Sequence, residues 1–356
     1  MREARDVQDA LDRARLVANE QAFLIGVRVL TGSIGASQAG GAYAQLAECM
    51  IQAMQELVAR EMARVHGQVP GAPPWSSPWG KLGGLEMTAA SDLDLIVIYD
   101  FSPDAVQSDG ARPLPPTQYF TRFTQRLISA FTAQTAEGRL YEVDMRLRPS
   151  GQKGPVATQL TSFVHYQAGE AWTWEHLALT RARVVAGAPQ LKVVVEAAIA
   201  DILKRRRDRA KTAADVRSMR ARIAREKGSK DPWDLKQVRG GLVDLEFIAQ
   251  YLQLVHAADR PDVLSQNTLQ GLSNLEARRL PAAAGGRCAA AGGPPAQQSD
   301  AGVAPLPGRA IHAENGSGRP EAAAGPGRRC PDFPSLEAEL AARELTVAAL
   351  FDQLVV

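Results

Sequence analysis

Asp92 and Asp94 stand two residues apart in Ser91-Asp92-Leu93-Asp94-Leu95, ahead of the apolar run Ile96-Val97-Ile98-Tyr99. On a strand that spacing puts both carboxylates on one face. Two close carboxylates repel each other and call for a cation. Hard oxygen ligands select Mg²⁺, which in turn favours a phosphate-bearing substrate to complete its octahedron. Upstream, Gly83 and Gly84 let the backbone approach an anion without Cβ interference, and their amides can face a triphosphate. A third carboxylate from a neighbouring strand would complete a cage. Asp144 in Glu142-Val143-Asp144-Met145-Arg146-Leu147-Arg148 offers one, with Glu142 as an alternate on the same face. Arg146 and Arg148 can neutralise phosphate oxygens. Taken alone, an Asp-x-Asp pair is more often a solvated loop edge than a site. The glycines ahead of it, the buried run behind it and the second acidic strand give it weight.

The elements that must position these residues follow from periodicity. Ser91–Phe101 reads as a strand buried on both faces near its end, and Arg139–Pro149 as an alternating strand. On the latter, Glu142, Asp144, Arg146 and Arg148 would face one way, and Tyr141, Val143, Met145 and Leu147 the other. Between them, Gln118–Ala136 reads as helix. Two helices precede them, broken at Thr31–Ala42, the second carrying Leu46, Met50, Met54, Leu57 and Val58 at helical spacing. From Thr161 to about Arg279 the pattern is mostly helical, and helix resumes in the last residues with Leu336, Leu340, Leu345, Leu350 and Leu354. Pro281–Cys330 differs: 36 of its 50 residues are Ala, Gly, Pro or Arg. Such a segment cannot bury enough apolar surface to offset its ordering entropy, so disorder is expected.

Composition narrows the function classes. The 356 residues suffice for two or three domains, and 41 basic against 39 acidic residues leave a charge of +2, which compels no polyanionic partner. No apolar run approaches the roughly 20 residues of a membrane span, and Arg28 breaks the best one, Phe23–Leu30. The charged N-terminal residues are unlike a signal peptide. Three scattered cysteines form no disulfide framework or zinc site. These features predict a cytoplasmic protein. The basic run Lys204–Lys211 reads as a solvated helix face rather than a nucleic-acid site, since no aromatic residues interleave it.

Several other residues carry two readings. Trp172, Trp174 and His176 fall on one helix, where packing of at least one tryptophan in the core outweighs substrate contact. Arg181 and Arg183 can reach phosphate or form surface ion pairs. Asp244 and Glu246 repeat the two-residue spacing, but on a helix, where i and i+2 do not face each other. A structural or interdomain role for Asp244 is preferred to a second metal site.

Gly83-Gly84, then Ser91-Asp92-x-Asp94, then a later strand carboxylate resembles the nucleotidyltransferase superfamily. Four longer stretches are similar to the bacterial glutamine-synthetase adenylyltransferases: Gly80–Ile96, Val143–Val156, Ala171–Gly187 and Asp234–Leu252. The resemblance runs to about Arg279 and resumes at about Asp332. It implies an α+β chain in which a polymerase β-like mixed sheet with helices (70–187) follows an N-terminal helical segment (1–69). A C-terminal helical bundle (188–280), the low-complexity segment (281–331) and a final helix (332–356) complete it.

That family pairs an AMP-removing half with an AMP-adding half. Pro149-Ser150-Gly151, Trp172–His176 and Val243–Glu246 are similar to the adding half, at whose end this chain also stops. The resemblance therefore implies AMP transfer from ATP to a tyrosine of glutamine synthetase, with a PII-type nitrogen-signalling protein as a further partner. It implies Mg²⁺ ions held by Asp92, Asp94 and Asp144, with nucleotide contacts from Gly83, Gly84, Ser91, Arg146 and Arg148. A metal would also acidify the incoming tyrosine, so no dedicated protein base is required. Two stretches depart from the family: Gly71–Trp79, a Pro-rich string where a sheet strand is expected, and Pro281–Cys330. Compensating frameshifts would account for both. Leu85 replaces a usually basic residue. Two rival readings are a nucleotidyltransferase with another acceptor, and an impaired fragment that only docks on glutamine synthetase or a nitrogen-signalling regulator.

Overall fold

Helical spacing in the sequence becomes ten α-helices among the described residues, together with two short parallel ladders. The computed structural model describes residues 6–71, 82–278, 280 and 332–356. Ala72–Trp79 of the Pro-rich string and Pro281–Cys330 of the low-complexity segment lie outside the described residues. The α+β class is borne out, with helix predominating.

The chain divides into two compact units, Met1–Leu24 with Gly41–Leu203, and Ile25–Gly40 with Lys204–Val356. The first unit opens with α1 (Val7–Leu30) and α2 (Ala36–His66), whose far ends belong to the second. α1 buries the small residues Ala10, Ala14 and Ala18 together with Arg15. The Arg15 guanidinium donates to the carbonyls of Leu11, Ala130, Ala133 and Gly138. α2 buries Met50, Ile51, Met54, Leu57, Val58 and Met62 at three- and four-residue steps, a stripe legible from periodicity.

The β signal resolves into β1 (Leu93–Asp94), β2 (Val97–Tyr99), β3 (Val143–Asp144) and β4 (Ala157–Gln159). β1 pairs with β3 and β2 with β4, both parallel. Parallel partners need a crossover, and α3 (Pro116–Thr132) lies between β2 and β3 in the chain. It starts two residues earlier than periodicity suggests, with proline in its first turn, where a missing N–H costs nothing. Leu93, Leu95, Ile96, Val97, Ile98 and Tyr99 are all buried, and Tyr99 stacks on Phe120 of α3 at 4.4 Å.

Two expectations need correction here. Ser91–Phe101 is not one continuous strand: its halves take different partners, so the ladder breaks at Leu95-Ile96. Arg139–Pro149 is not an alternating strand along its length either. The Asp144 carboxylate accepts the Arg146 backbone N–H at 2.8 Å, a local turn that competes with further pairing. The face expected to carry Glu142, Asp144, Arg146 and Arg148 therefore ends at Asp144.

The first unit closes with α4 (Leu160–Gly169), α5 (Thr173–Leu179) and α6 (Pro189–Leu203). Glu175 in α5 is only 2% exposed. It accepts from the Tyr166 hydroxyl at 3.1 Å and the Trp172 backbone N–H at 2.8 Å. Burial outweighs these bonds and pushes its carboxyl above the ordinary value. The core placement expected of a tryptophan falls instead to Glu175, Leu177 and Leu179: Trp172 is 68% exposed and Trp174 half-buried.

The second unit packs α7 (Arg209–Lys227), α8 (Leu242–His256), α9 (Thr268–Ala277) and α10 (Phe333–Leu354). Asp244, 0% exposed, is its polar hub. Arg220 pairs with it, Arg239 Nη1 lies 2.9 Å away, and the Gly240 N–H donates to it. Arg239 also reaches Asp352 of α10 at 2.6 Å and lies over the Phe351 ring at 4.7 Å. The structural role expected of Asp244 is thus what its surroundings provide. The basic run is not a helix face in its first half: Lys204–Asp208 links α6 to α7, and Asp208 caps α7 by accepting from the Lys211 N–H. Burial, and then neighbouring Arg205, holds the Arg207 guanidinium down at about 10.

Candidate active site

The β1–β3 register sets Asp94 opposite Asp144. Two backbone bonds fix it, Leu93 N–H to Glu142 O and Leu95 N–H to Asp144 O, each 2.9 Å. Buried Leu93 and Leu95 anchor β1 from below, leaving Asp94 between them half-buried and Asp92 exposed. Burial first, and then the charges of Asp144 and Asp92, push the Asp94 carboxyl from 3.8 up to about 6, against a weaker downward pull from Arg181 and Arg146. The three acids singled out by spacing are therefore electrostatic neighbours.

Asp144 has taken a cation of its own. Arg146 Nε lies 2.7 Å from Asp144 Oδ2, and Nη2 contacts the same oxygen. Among the described residues no group of three or more His, Cys, Asp or Glu is already arranged to hold a metal ion. The donor set nevertheless has the chemistry of a hard divalent cation's ligands: Asp144 and Asp92 are carboxylates that both act electrostatically on Asp94. Glu142, the alternate, is exposed and pairs with Arg139 instead.

The remaining expected residues fall in several places. The Ser91 hydroxyl accepts the Thr88 N–H at 2.9 Å and stiffens the turn entering β1. Arg148 differs from its expected role: its guanidinium is spent on the carbonyls of Met145, Gln152 and Gly154, so it closes its own loop. Gly83 and Gly84 lie in a buried turn after Leu82. Arg183 grips that turn, donating to the carbonyls of Gly83 at 3.3 Å and Leu82 at 3.2 Å while pairing with Glu48 of α2. The next residue, Leu85, takes a left-handed conformation at φ 58°. Arg181, 5% exposed, pairs with Glu86 and is one of the two positive charges acting on Asp94.

Sequence reasoning missed Glu86, Glu48 and Glu175. The available signal was pairing by count: Arg181 and Arg183 alternate on one segment and needed acidic or carbonyl partners once buried. Beside Asp92 a cavity of about 200 Å³ is lined by Tyr43, Met87, Ser91, Arg139 and Tyr141, among others. Burial raises the Tyr141 hydroxyl to about 12, so it stays a neutral donor. No helix among the described residues is long and apolar enough to cross a membrane.

Comparison with known proteins bears on this arrangement. The profile of the family described as "Glutamate-ammonia ligase adenylyltransferase" matches residues 1–198, and that of "GlnD PII-uridylyltransferase" matches residues 215–284. The chain is 52% identical over 276 residues to a bifunctional glutamine synthetase adenylyltransferase/adenylyl-removing enzyme of Bradyrhizobium sp. (strain ORS 278), covering 78% of this chain and 28% of that protein. It is 55% identical over 254 residues to the protein of the same name in Rhizobium meliloti (strain 1021), covering 71% and 26%. A relative of that name in Rhodopseudomonas palustris (strain BisB5) is 45% identical over 363 residues, covering 98% and 35%. The chain thus spans about a quarter to a third of the length of these curated relatives.

Proposed function

The chain belongs to the glutamate-ammonia ligase adenylyltransferase family, and from that premise we propose that it transfers AMP from ATP to a tyrosine of glutamine synthetase, releasing pyrophosphate. The observation that supports the reading is the β1–β3 register, which sets Asp94 opposite Asp144, with Asp144 and Asp92 both acting on the Asp94 charge.

Asp92, Asp94 and Asp144 are the residues that would hold Mg²⁺, which when bound supplies positive charge to the α-phosphorus and to the departing pyrophosphate. The protein's part is positioning and charge. Asp94 must be ionised to serve as a ligand, and its raised value means that the metal-free site reaches that state only above about pH 6. Arg146, whose side chain is largely exposed, would meet phosphate oxygens once it leaves Asp144. Arg181, held by Glu86, keeps a fixed positive charge near Asp94. Arg183 fixes the Gly83-Gly84 turn against α2, so that the turn does not drift when a triphosphate approaches. The cavity beside Asp92 gives room for a substrate group. The partners proposed are glutamine synthetase as the acceptor and a PII-type protein as regulator, in the cytoplasm.

The test uses ATP labelled at the α-phosphate, Mg²⁺ and glutamine synthetase, with Asp92→Asn and Asp94→Asn chains as controls. Label on a glutamine synthetase tyrosine that vanishes in both controls supports the reading. Label on RNA, or binding to glutamine synthetase without label, contradicts it and favours another acceptor or a docking fragment respectively.

A further inference from the structure

Asp144 is engaged on both of its oxygens by the residue two positions on. The Arg146 backbone N–H holds Oδ1 at 2.8 Å, and the guanidinium grips Oδ2 through Nε and Nη2. The two partners are placed differently. The Asp144 side chain is 16% exposed, the Arg146 side chain 66%, so the carboxylate is fixed and the guanidinium sits at the solvent edge, free to swing on its stem. Arg146 also acts electrostatically on Asp94 and Asp92. One monovalent guanidinium thus partly neutralises three carboxylates that together suit a divalent ion.

We propose that Arg146 is a built-in placeholder cation: it occupies Asp144 until a divalent ion takes that carboxylate, and the released guanidinium then turns to the phosphates of the nucleotide. The proposal rests on the metal-dependent AMP-transfer reading and deepens it. It explains why the carboxylates do not already form a metal cage. It also gives metal and nucleotide a shared element. Freeing Arg146 by metal prepares a phosphate contact, and drawing Arg146 away by phosphate uncovers Asp144, so each ligand favours the other.

The experiment measures Mn²⁺ affinity of the full chain without nucleotide, by electron paramagnetic resonance, for wild type, Arg146→Gln, Arg146→Lys and Asp144→Asn. Thermal melting confirms that each is folded. Both Arg146 variants are expected to bind Mn²⁺ roughly three- to tenfold more tightly, the range of a partly exposed ion pair. Lysine keeps the charge but loses the planar fork, so its gain separates occupancy of Asp144 from long-range repulsion. The gain is expected to disappear in an Asp144→Asn background, and Mn²⁺ is expected to strengthen ATP binding less in Arg146→Gln than in wild type. Wild-type binding of Mn²⁺ that Arg146→Gln leaves unchanged, or a gain for glutamine with none for lysine, overturns the proposal alone. No Mn²⁺ binding by any of the four chains overturns the metal-dependent reading and the proposal with it.

Discussion

Replacing Asp94 by asparagine should stabilise the metal-free protein while destroying its proposed chemistry. The folded protein raises this carboxyl from 3.8 to about 6, chiefly through burial and then through Asp144 and Asp92. At 1.36 kcal/mol per pH unit, ionised Asp94 therefore costs the native state about 2–3 kcal/mol. The sign follows from linkage. Below about pH 4 the group is protonated in both states and costs nothing. Between about pH 4 and pH 6 the unfolded chain releases the proton while the folded chain keeps it, so stability falls as pH rises. Above about pH 6 the full cost is present. Denaturant unfolding in chelator should thus show Asp94→Asn more stable than wild type by about 2–3 kcal/mol at pH 7.5, with an unchanged slope, and nearly equal to it at pH 4. Adding Mg²⁺ at pH 7.5 should stabilise wild type and not the variant. An Asp94→Asn protein no more stable than wild type at pH 7.5, or one with the same advantage at both pH values, would refute the reasoning.

Other residues give further tests. Arg220→Ala leaves Asp244, 0% exposed, with a buried charge and without one of its three partners, and should cost about 3–5 kcal/mol in denaturant unfolding. Arg15→Ala removes the donor shared by the carbonyls of Ala130, Ala133 and Gly138; a loss of about 3 kcal/mol is expected from several unmet acceptors, read as a lowered melting temperature. Tyr166→Phe removes the hydroxyl bonded to Glu175 and should cost about 1–2 kcal/mol, with the loss shrinking at acid pH as Glu175 takes up a proton.

How far the site was legible depends on the distance over which its parts are specified. Asp92 immediately precedes β1 and Asp94 ends it, and their two-residue spacing alone brings Asp92 near enough to act on the Asp94 charge. Asp144 was found because its strand carries the same apolar-acid alternation, and the structure places it opposite Asp94. The resemblance to glutamine-synthetase adenylyltransferases rests on long stretches and is borne out by the family match. Where side-chain hydrogen bonds compete with the strand pattern, periodicity misled: the Asp144–Arg146 turn ends β3 after two residues and sends Arg148 to loop carbonyls. The continuous strand Ser91–Phe101 failed for a related reason, since an apolar run reports burial but not which partner each half will take. Arg181, Arg183 and Asp244 were visible as charges, whereas Glu86, Glu48 and Arg220 became their partners through contacts distant in sequence, which spacing does not encode.

The central claim is that Asp94 and Asp144 form one site through the β1–β3 register. Its most direct test is the rate of AMP transfer to glutamine synthetase for Asp94→Asn, Asp144→Asn and the double variant. If the two carboxylates act as a unit, each single change should cost roughly 10²–10³-fold, and the double variant should lose little more than either alone. Losses that multiply, or an Asp144→Asn chain that transfers AMP at the wild-type rate, would contradict it.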